Sequence, residues 1–245
     1  MTAGALLFVI CEGQTEETFA NIVLAPHFLP SGTYVRPLVL PNVKGGHARR
    51  NKGGRNSYRV ARQSINSAME QHHRDGVWFT TMFDCYALPQ DFPRPPQDIP
   101  AASRDKVAAL EKAMADDLLS DSLWRFTPDL QLYEFEALIL ADIDLLGEEF
   151  PERRNALAAL RSNLAGLAPE EVNDGTATHP SARIIRQIPE YEGRKASVGP
   201  VLAARIGLDR LRQRCPHFGA WISEPERHVP RQPEPPAQRL NQEPK

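Results

Sequence analysis

The sequence lacks several features that would assign a function directly. Its three cysteines, Cys11, Cys85 and Cys215, are widely spaced, so neither a zinc-binding spacing nor a disulfide framework is present, and reduced thiols of a cytoplasmic protein are expected. There is no Gly-x-x-x-x-Gly-Lys-Ser/Thr segment and no Gly-x-Ser-x-Gly segment, which excludes a P-loop and a nucleophile elbow in this chain. These motifs therefore assign no function, and the functional signal lies in other residue types.

A strong net charge and long apolar runs are also missing. The 29 Lys and Arg residues nearly balance the 31 Asp and Glu residues, with a formal net charge of −2. No overall field therefore favours a polyanion, and a contact with nucleic acid has to come from a local basic patch. No apolar run reaches the roughly 18 residues of a membrane helix. The short N-terminal apolar segment ends at Glu12 without a basic leader, so a signal peptide is not predicted either.

The first apolar segment ends in an unusual way. Residues 6–10 are apolar and rich in β-formers, and Glu12 and Gly13 follow directly. This pattern predicts a buried strand, a glycine turn, and a helix with Glu16 and Glu17 in its first turn. Glu12 then lies at the carboxyl end of a strand, where open α/β sheets collect functional groups. The alternative is a surface loop whose acids complement the helix dipole, and it is stronger for Glu16 and Glu17 than for Glu12.

Two later predicted strands also lead to acidic residues: residues 77–83 lead to Asp84, and residues 126–132 lead to Glu134 and Glu136. If the strands are parallel, their carboxyl ends share one edge of the sheet, and all these acids can converge there. Converging carboxylates repel one another unless a hard cation such as Mg²⁺ joins them, and two such ions can clamp an in-line phosphoryl displacement. The alternatives are that Asp84 caps a turn and that Glu134 and Glu136 only begin a helix.

A glycine-rich basic segment lies between the second predicted strand and the next helix. It covers residues 41–57 and contains no acid. Its cations are Lys44, Arg49, Arg50, Lys52 and Arg55. Such a segment can hold a phosphate backbone close to metal ions, so we predict a nucleic-acid contact here. The alternative is a solvated connection without a binding role.

The order of the predicted elements indicates the fold class. Strands and helices alternate first and helices dominate later, which predicts an α/β, Rossmann-like fold with a mostly parallel sheet flanked by helices and a mainly helical C-terminal part. Pro37 marks the second strand as an edge strand or a bulged one. We expect a core over residues 1–145, a helical part packed on it over 146–222, and a disordered proline-rich tail over 223–245.

Several motifs resemble those of a known bacterial family. They are CEGQTE at 11–16, GG at 53–54 with Tyr58, FDCYALP at 83–89, YEFEAL at 133–138, NDG at 173–175 with PS at 180–181, and IGL at 206–208 through CPHF at 215–218. On these segments, which span nearly the whole chain except the tail, the protein resembles the TOPRIM-related domain of unknown function 4276. More distantly, a strand with Glu-Gly-x-x-Glu and a later strand ending in Asp are similar to the TOPRIM domain of topoisomerases, primases and overcoming-lysogenization-defect nucleases.

The resemblance implies a TOPRIM-like fold in which Glu12 is a general acid/base or metal ligand and Glu16 and Asp84 are metal ligands. It also implies a partner ATPase of the ABC-like or overcoming-lysogenization-defect type and a role in phage defence. One position departs from the TOPRIM pattern Asp-x-Asp, because Tyr86 replaces the second acid, and a phenol with a pKa of about 10 is a poor Mg²⁺ ligand. Either a later glutamate supplies the missing carboxylate, or one ion binds weakly, or the site is inactive.

The sequence thus predicts a Mg²⁺- or Mn²⁺-dependent nuclease acting on DNA or RNA, with Glu12 and Asp84 as catalytic residues. The predicted metal ligands are Glu12, Glu16, Asp84, Glu134 and Glu136. One alternative is a TOPRIM-like module without catalysis that binds and regulates an ATPase, and another is a small-molecule phosphohydrolase. His179 and His217 are candidates for contacting phosphate or the metal ligands, and Lys195 is a candidate for contacting phosphate. The alternative for each is a surface or packing role.

Overall fold

The structure is a computed structural model that describes residues 4–41, 57–86, 88–95, 103–118, 125–172 and 178–228. The cations predicted to contact nucleic acid lie outside these ranges; they are Lys44, Arg49, Arg50, Lys52 and Arg55. Most of the predicted tail, from residue 229 onward, also lies outside the described residues.

A parallel sheet forms the centre of the fold, as predicted. Its strands are β1 (Ala5–Cys11), β2 (Thr33–Val39), β3 (Val77–Asp84), β4 (Phe126–Thr127) and β5 (Leu130–Gln131). The order is β2-β1-β3-β4, with β5 pairing the last residues of β3, and every pair is parallel. Because parallel sheets are covered on both faces, the central strands β1 and β3 are apolar and almost entirely buried.

The helices cover both faces of this sheet. They are α1 (Gln14–Phe19), α2 (Ala25–Phe28), α3 (Tyr58–Gln71), α4 (Ser103–Asp117), α5 (Glu136–Ile139), α6 (Ile143–Glu149), α7 (Arg154–Asn163), α8 (Pro180–Gln187), α9 (Lys195–Ile206), α10 (Leu208–Arg214) and α11 (Pro216–His228). A π-helical turn (Ala20–Leu24) and 3₁₀ turns connect several of them. None of the helices among the described residues combines the length and hydrophobicity that a membrane span requires.

Alternate residues of β1 face two separate cores, because successive side chains of a strand point to opposite faces. Val9 belongs to the core beneath α1, α9 and α11, which contains Leu202 and Phe218. Ile10 belongs to the core beneath α3 and α4, which contains Ile65. The mainly helical C-terminal part therefore packs on one face of the sheet, and α3 and α4 pack on the other.

Two elements differ in extent from the sequence prediction. The strand predicted over residues 126–132 is divided into β4 and β5, because Pro128 has no N–H to donate and Asp129 exchanges its backbone hydrogen bonds with the Thr81 hydroxyl. At the C-terminus, α11 continues to His228, beyond residue 222, where the sequence predicts the helical part to end. The buried Pro225 lies within this last helix, so its final turns are anchored by packing.

Candidate functional site

The carboxyl ends of β1 and β3 bring the first two predicted acids together. The two strands are adjacent and parallel, with Cys11 opposite Met82, so both chains leave the sheet at the same edge. The backbone N–H of Asp84 donates to Glu12 Oε2 at 3.3 Å. The contact joins residues that are far apart in sequence, and it follows directly from the parallel register.

Glu16 is held against the same edge by the glycine turn. Gly13 has extended backbone angles before α1, and its N–H donates to Glu16 Oε2 at 2.9 Å. This hydrogen bond folds the side chain back over the turn, and Glu16 is only 7% exposed. Burial raises the pKa of Glu16 to about 7, and the negative charges of Glu12 and Glu136 add to the rise.

Asp84 lies at the centre of the acidic residues. Its Oδ1 accepts a hydrogen bond of 3.0 Å from the N–H of Phe135, which fixes the carboxyl group against the start of α5. Burial, and after it the charges of four neighbouring carboxylates, raise the pKa of Asp84 well above its usual range. Those neighbours are Glu12, Glu16, Glu136 and Glu134. The five residues predicted as metal ligands are therefore one electrostatic group, called the carboxylate cluster below.

Glu136 has a cationic partner within this cluster. Lys195, the first residue of α9, places Nζ 3.1 Å from Glu136 Oε1, and the hydroxyl of the buried Tyr191 donates to the same oxygen at 3.4 Å. Burial still raises the pKa of Glu136, although Lys195 opposes the rise. The pKa of Lys195 is itself raised, because burial is outweighed by Glu136, Glu134 and Asp84. Lys195 is thus a member of the site, where its ammonium group pairs with Glu136.

Glu134 is engaged by hydrogen-bonding groups at the beginning of α8. Its Oε2 accepts from the N–H of Ser181 at 2.9 Å and lies 2.9 Å from His179 Nδ1. Burial would raise the pKa of Glu134, but the hydrogen bonds from Ser181 and His179 outweigh it and the pKa is lowered. The ring of His179 stacks on Tyr86 with centroids 4.6 Å apart. Tyr86, at which the TOPRIM resemblance implies an acid, is therefore packed against the histidine that contacts Glu134.

A strained backbone position sets the course of the chain through the site. Tyr133 has φ of 70°, and it is the one non-glycine residue with positive φ among those the structure describes. Its carbonyl accepts a hydrogen bond of 2.8 Å from the N–H of Tyr86. Such a conformation costs about 1–2 kcal/mol for a residue with a side chain. It turns the chain from β5 into α5, immediately before the two glutamates of the cluster.

The carboxylate cluster fits a hard cation chemically, because it offers carboxylate oxygens and carries repelling negative charges. Its ligand atoms are not already gathered around one point, however. Within the described ranges, the group of three whose ligand atoms all lie within 4.8 Å of one another is Glu111, Asp129 and His217. An ion in the carboxylate cluster would have to draw side chains inward, which the rotatable glutamates permit.

The sequence did not indicate this second group. Its members belong to α4, to the turn between β4 and β5, and to the first turn of α11, and no short motif relates them. For His217 the sequence predicts a surface or packing role, or a contact to phosphate or to the metal ligands, and not metal ligation in a second site. Burial tends to lower the pKa of His217, but the hydrogen bond to Glu111 and the charge of Asp129 raise it to about 9.

Fold and site together define an α/β protein with a Rossmann-like parallel sheet and an acidic centre at the carboxyl ends of β1 and β3. The chain belongs to the family described as Domain of unknown function (DUF4276), which it matches over residues 11–224. This match confirms the family identified from the sequence motifs, and it includes the whole carboxylate cluster. Comparison with curated proteins and with solved structures gave no match.

Proposed function

We propose that this protein is a cytoplasmic, Mg²⁺- or Mn²⁺-dependent nuclease of the TOPRIM type, which hydrolyses DNA or RNA and works with a separate ATPase in phage defence. The observation that supports the proposal is the carboxylate cluster. The pKa values of Glu16, Asp84 and Glu136 are all raised, and burial and repulsion between carboxylates contribute to each rise. The cluster carries more negative than positive charge, and a divalent ion would compensate the excess.

We assign one ion to Glu12, Glu16 and Asp84. These three residues come from the ends of β1 and β3 and from the first turn of α1, and Glu12 already contacts the backbone of Asp84. Glu134 is engaged by Ser181 and His179, so it positions the histidine in this proposal and is not a ligand. Once bound, the ion would polarise a phosphoryl oxygen and lower the pKa of a bound water.

Lys195 supplies a second positive charge beside the proposed metal ion. Its Nζ is 3.1 Å from Glu136 Oε1, and its side chain is 33% exposed, so the ammonium can also reach a bound phosphate. A TOPRIM pattern with two acids on the third strand can hold a further ion, whereas this chain has Tyr86 there. A fixed ammonium beside the site neutralises charge on a transferring phosphoryl group without needing that second acid.

The nucleic acid would approach over the basic segment that follows β2. Leu40 donates its N–H to the carbonyl of Cys11 at 3.0 Å, so the chain leaves the sheet at the edge that carries Glu12. The segment with its five cations begins directly after this point. Binding of a polyanion to these cations should weaken as salt is added.

The experiment is a cleavage assay on the purified full chain with Mg²⁺ or Mn²⁺ and single- and double-stranded DNA and RNA. Asp84→Asn and Glu12→Gln should each reduce cleavage at least a hundredfold, because each removes charge from the metal site without changing the shape of the side chain. The exposed Asp116 provides the control variant Asp116→Asn, which should cleave like the natural chain. Undiminished cleavage by both cluster variants would rule out this centre as the active site.

A second candidate function is a TOPRIM-like module that regulates an ATPase without catalysing a reaction. The stacking of Tyr86 on His179 favours it, because an aromatic pair occupies the position of the second acid. Calorimetry separates the two functions. A nuclease should bind Mg²⁺ and lose that binding in Asp84→Asn, whereas the regulatory module needs no Mg²⁺ and should bind its ATPase partner equally well in both forms.

A further inference from the structure

A buried carboxylate oxygen without a hydrogen-bond partner lies away from the carboxylate cluster. Asp129 is fully buried, and its Oδ1 accepts no hydrogen bond, whereas Oδ2 accepts one from the amide of Gln131. An unsatisfied buried carboxylate oxygen is costly, because desolvation is not repaid by a hydrogen bond. This oxygen lies 3.7 Å from Nε2 of His217. A metal ion bonded directly to this oxygen would satisfy it, which the more distant imidazole does not.

Two further ligand atoms face the same point. Nε2 of His217 lies 3.0 Å from Glu111 Oε1, and the ligand atoms of all three residues lie within 4.8 Å of one another. Bonds of about 2.0–2.2 Å around a tetrahedral ion place ligand atoms roughly 3.3–3.6 Å apart. The two measured separations, 3.0 and 3.7 Å, lie on either side of that value.

The backbone around these residues is held from several directions. The N–H and the carbonyl of Asp129 both bond to the Thr81 hydroxyl, at 2.8 and 2.9 Å. Glu170, which is buried, accepts the N–H groups of His217 and Phe218 at 2.9 Å each, and so fixes the first turn of α11. Rigid ligands supported by further hydrogen bonds are typical of metal sites.

We propose that Glu111, Asp129 and His217 form a binding site for a divalent transition-metal ion, with Zn²⁺ as the best-matched ion. Two carboxylates and one imidazole make a ligand set that suits Zn²⁺ better than Mg²⁺, since Mg²⁺ prefers oxygen ligands alone. The site shares no residue with the carboxylate cluster. The side chains of Glu111 and His217 are 17% and 13% exposed, which leaves an entry path and a coordination position open to solvent.

The competing interpretation is a purely structural ion pair between His217 and the two carboxylates. It accounts for the short contact to Glu111, but it leaves Asp129 Oδ1 without a hydrogen bond. The two interpretations differ in stoichiometric metal binding. A site for Zn²⁺ takes up one ion with ligation by His217, whereas an ion pair needs none.

The test uses the full chain stripped of metal by a chelator and dialysed. Co²⁺ is titrated first, because its visible absorption intensifies in a four-coordinate site, and Zn²⁺ is then added to displace it. We expect one equivalent of Co²⁺ to give this spectrum and one equivalent of Zn²⁺ to abolish it. His217→Gln and Glu111→Gln should each weaken binding at least a hundredfold, whereas Asp84→Asn in the carboxylate cluster should leave the spectrum unchanged.

A second measurement uses the natural chain, so that its result does not depend on whether a variant folds. Diethyl pyrocarbonate modifies accessible imidazoles, and mass spectrometry reports the peptide that contains His217. Zn²⁺ should slow modification of His217 at least tenfold while leaving the exposed His73 unprotected. Absence of the Co²⁺ spectrum in the natural chain, an unchanged spectrum in folded His217→Gln, or failure of Zn²⁺ to protect His217 would each overturn the proposal.

Discussion

The carboxylate cluster should make stability depend on pH in a direction opposite to that of ordinary surface acids. The pKa of Glu16 rises from 4.5 to about 7 on folding, first because of burial and then because of the charges of Glu12 and Glu136. A carboxyl with a raised pKa binds its proton more tightly in the folded state. Its stabilising contribution is therefore complete below pH 4.5 and is lost as the pH rises through about 7.

The size of the stability change follows from the rise in the pKa of Glu16. A rise from 4.5 to about 7 corresponds to about 3 kcal/mol between the two ends of the titration, because one pH unit is worth 1.36 kcal/mol. Glu16 is almost fully buried, so solvent screening reduces this figure little. Repulsion within the cluster spreads the titration over several carboxylates.

The assay is urea unfolding between pH 4.5 and 8.5 in the presence of a chelator, on the natural chain and on Glu16→Gln. Gln keeps an oxygen that accepts the N–H of Gly13 but does not ionise. The stability of the natural chain relative to Glu16→Gln should fall by about 3 kcal/mol across this range. Mg²⁺ at pH 8 should restore part of the loss through binding to the folded state. Parallel curves for the two proteins would refute the reasoning, and Asp116→Asn provides the control.

Three further variants test the roles assigned to Lys195, to Tyr133 and to the basic segment. Lys195→Met should destabilise the protein by about 1–3 kcal/mol at pH 8, because it removes a charge partner of Glu136. Thermal unfolding should show this loss of stability, and Lys195→Arg should recover most of the lost stability. Tyr133→Gly should be about 1 kcal/mol more stable than Tyr133→Ala in urea unfolding, because only glycine adopts positive φ without strain; equal stabilities would contradict this. The double variant Arg49→Gln and Arg50→Gln should weaken nucleic-acid binding and reduce its salt dependence, measured by fluorescence anisotropy, while cleavage of a small phosphodiester stays unchanged. Unaltered anisotropy curves would exclude a role for these two arginines.

The sheet could be predicted because its strands carry their own signals. Strands buried on both faces appear as uninterrupted apolar runs, and the predicted bounds of β1 and β3 agree with the observed ones within one residue. Pro37 predicts an edge or bulged strand, and β2 lies at the edge of the sheet. The division of β4 from β5 is different in kind, because it depends on Thr81 of a neighbouring strand competing for the backbone of Asp129.

In the candidate site, too, some contacts follow from local sequence signals and others depend on distant parts of the chain. Glu12 and Asp84 follow apolar strands in the sequence, so their meeting requires only a parallel sheet. The partners of Glu134 and Glu136 could not be predicted in this way, because His179 and Lys195 reach these glutamates from α8 and α9. Nothing in the spacing of these residues distinguishes a glutamate that holds a histidine from one that pairs with a lysine.

The sequence by itself determined the parallel sheet, the family and the acids at the strand ends, because periodicity, turn residues and short motifs are local properties of the chain. Only the tertiary structure decided how charge is compensated. The pairing of Lys195 with Glu136 and the grouping of Glu111, Asp129 and His217 arise where helices from distant parts of the chain pack on the sheet. Burial then raises the pKa of Glu16 and Asp84, and burial is a property that no single segment possesses before the chain has folded.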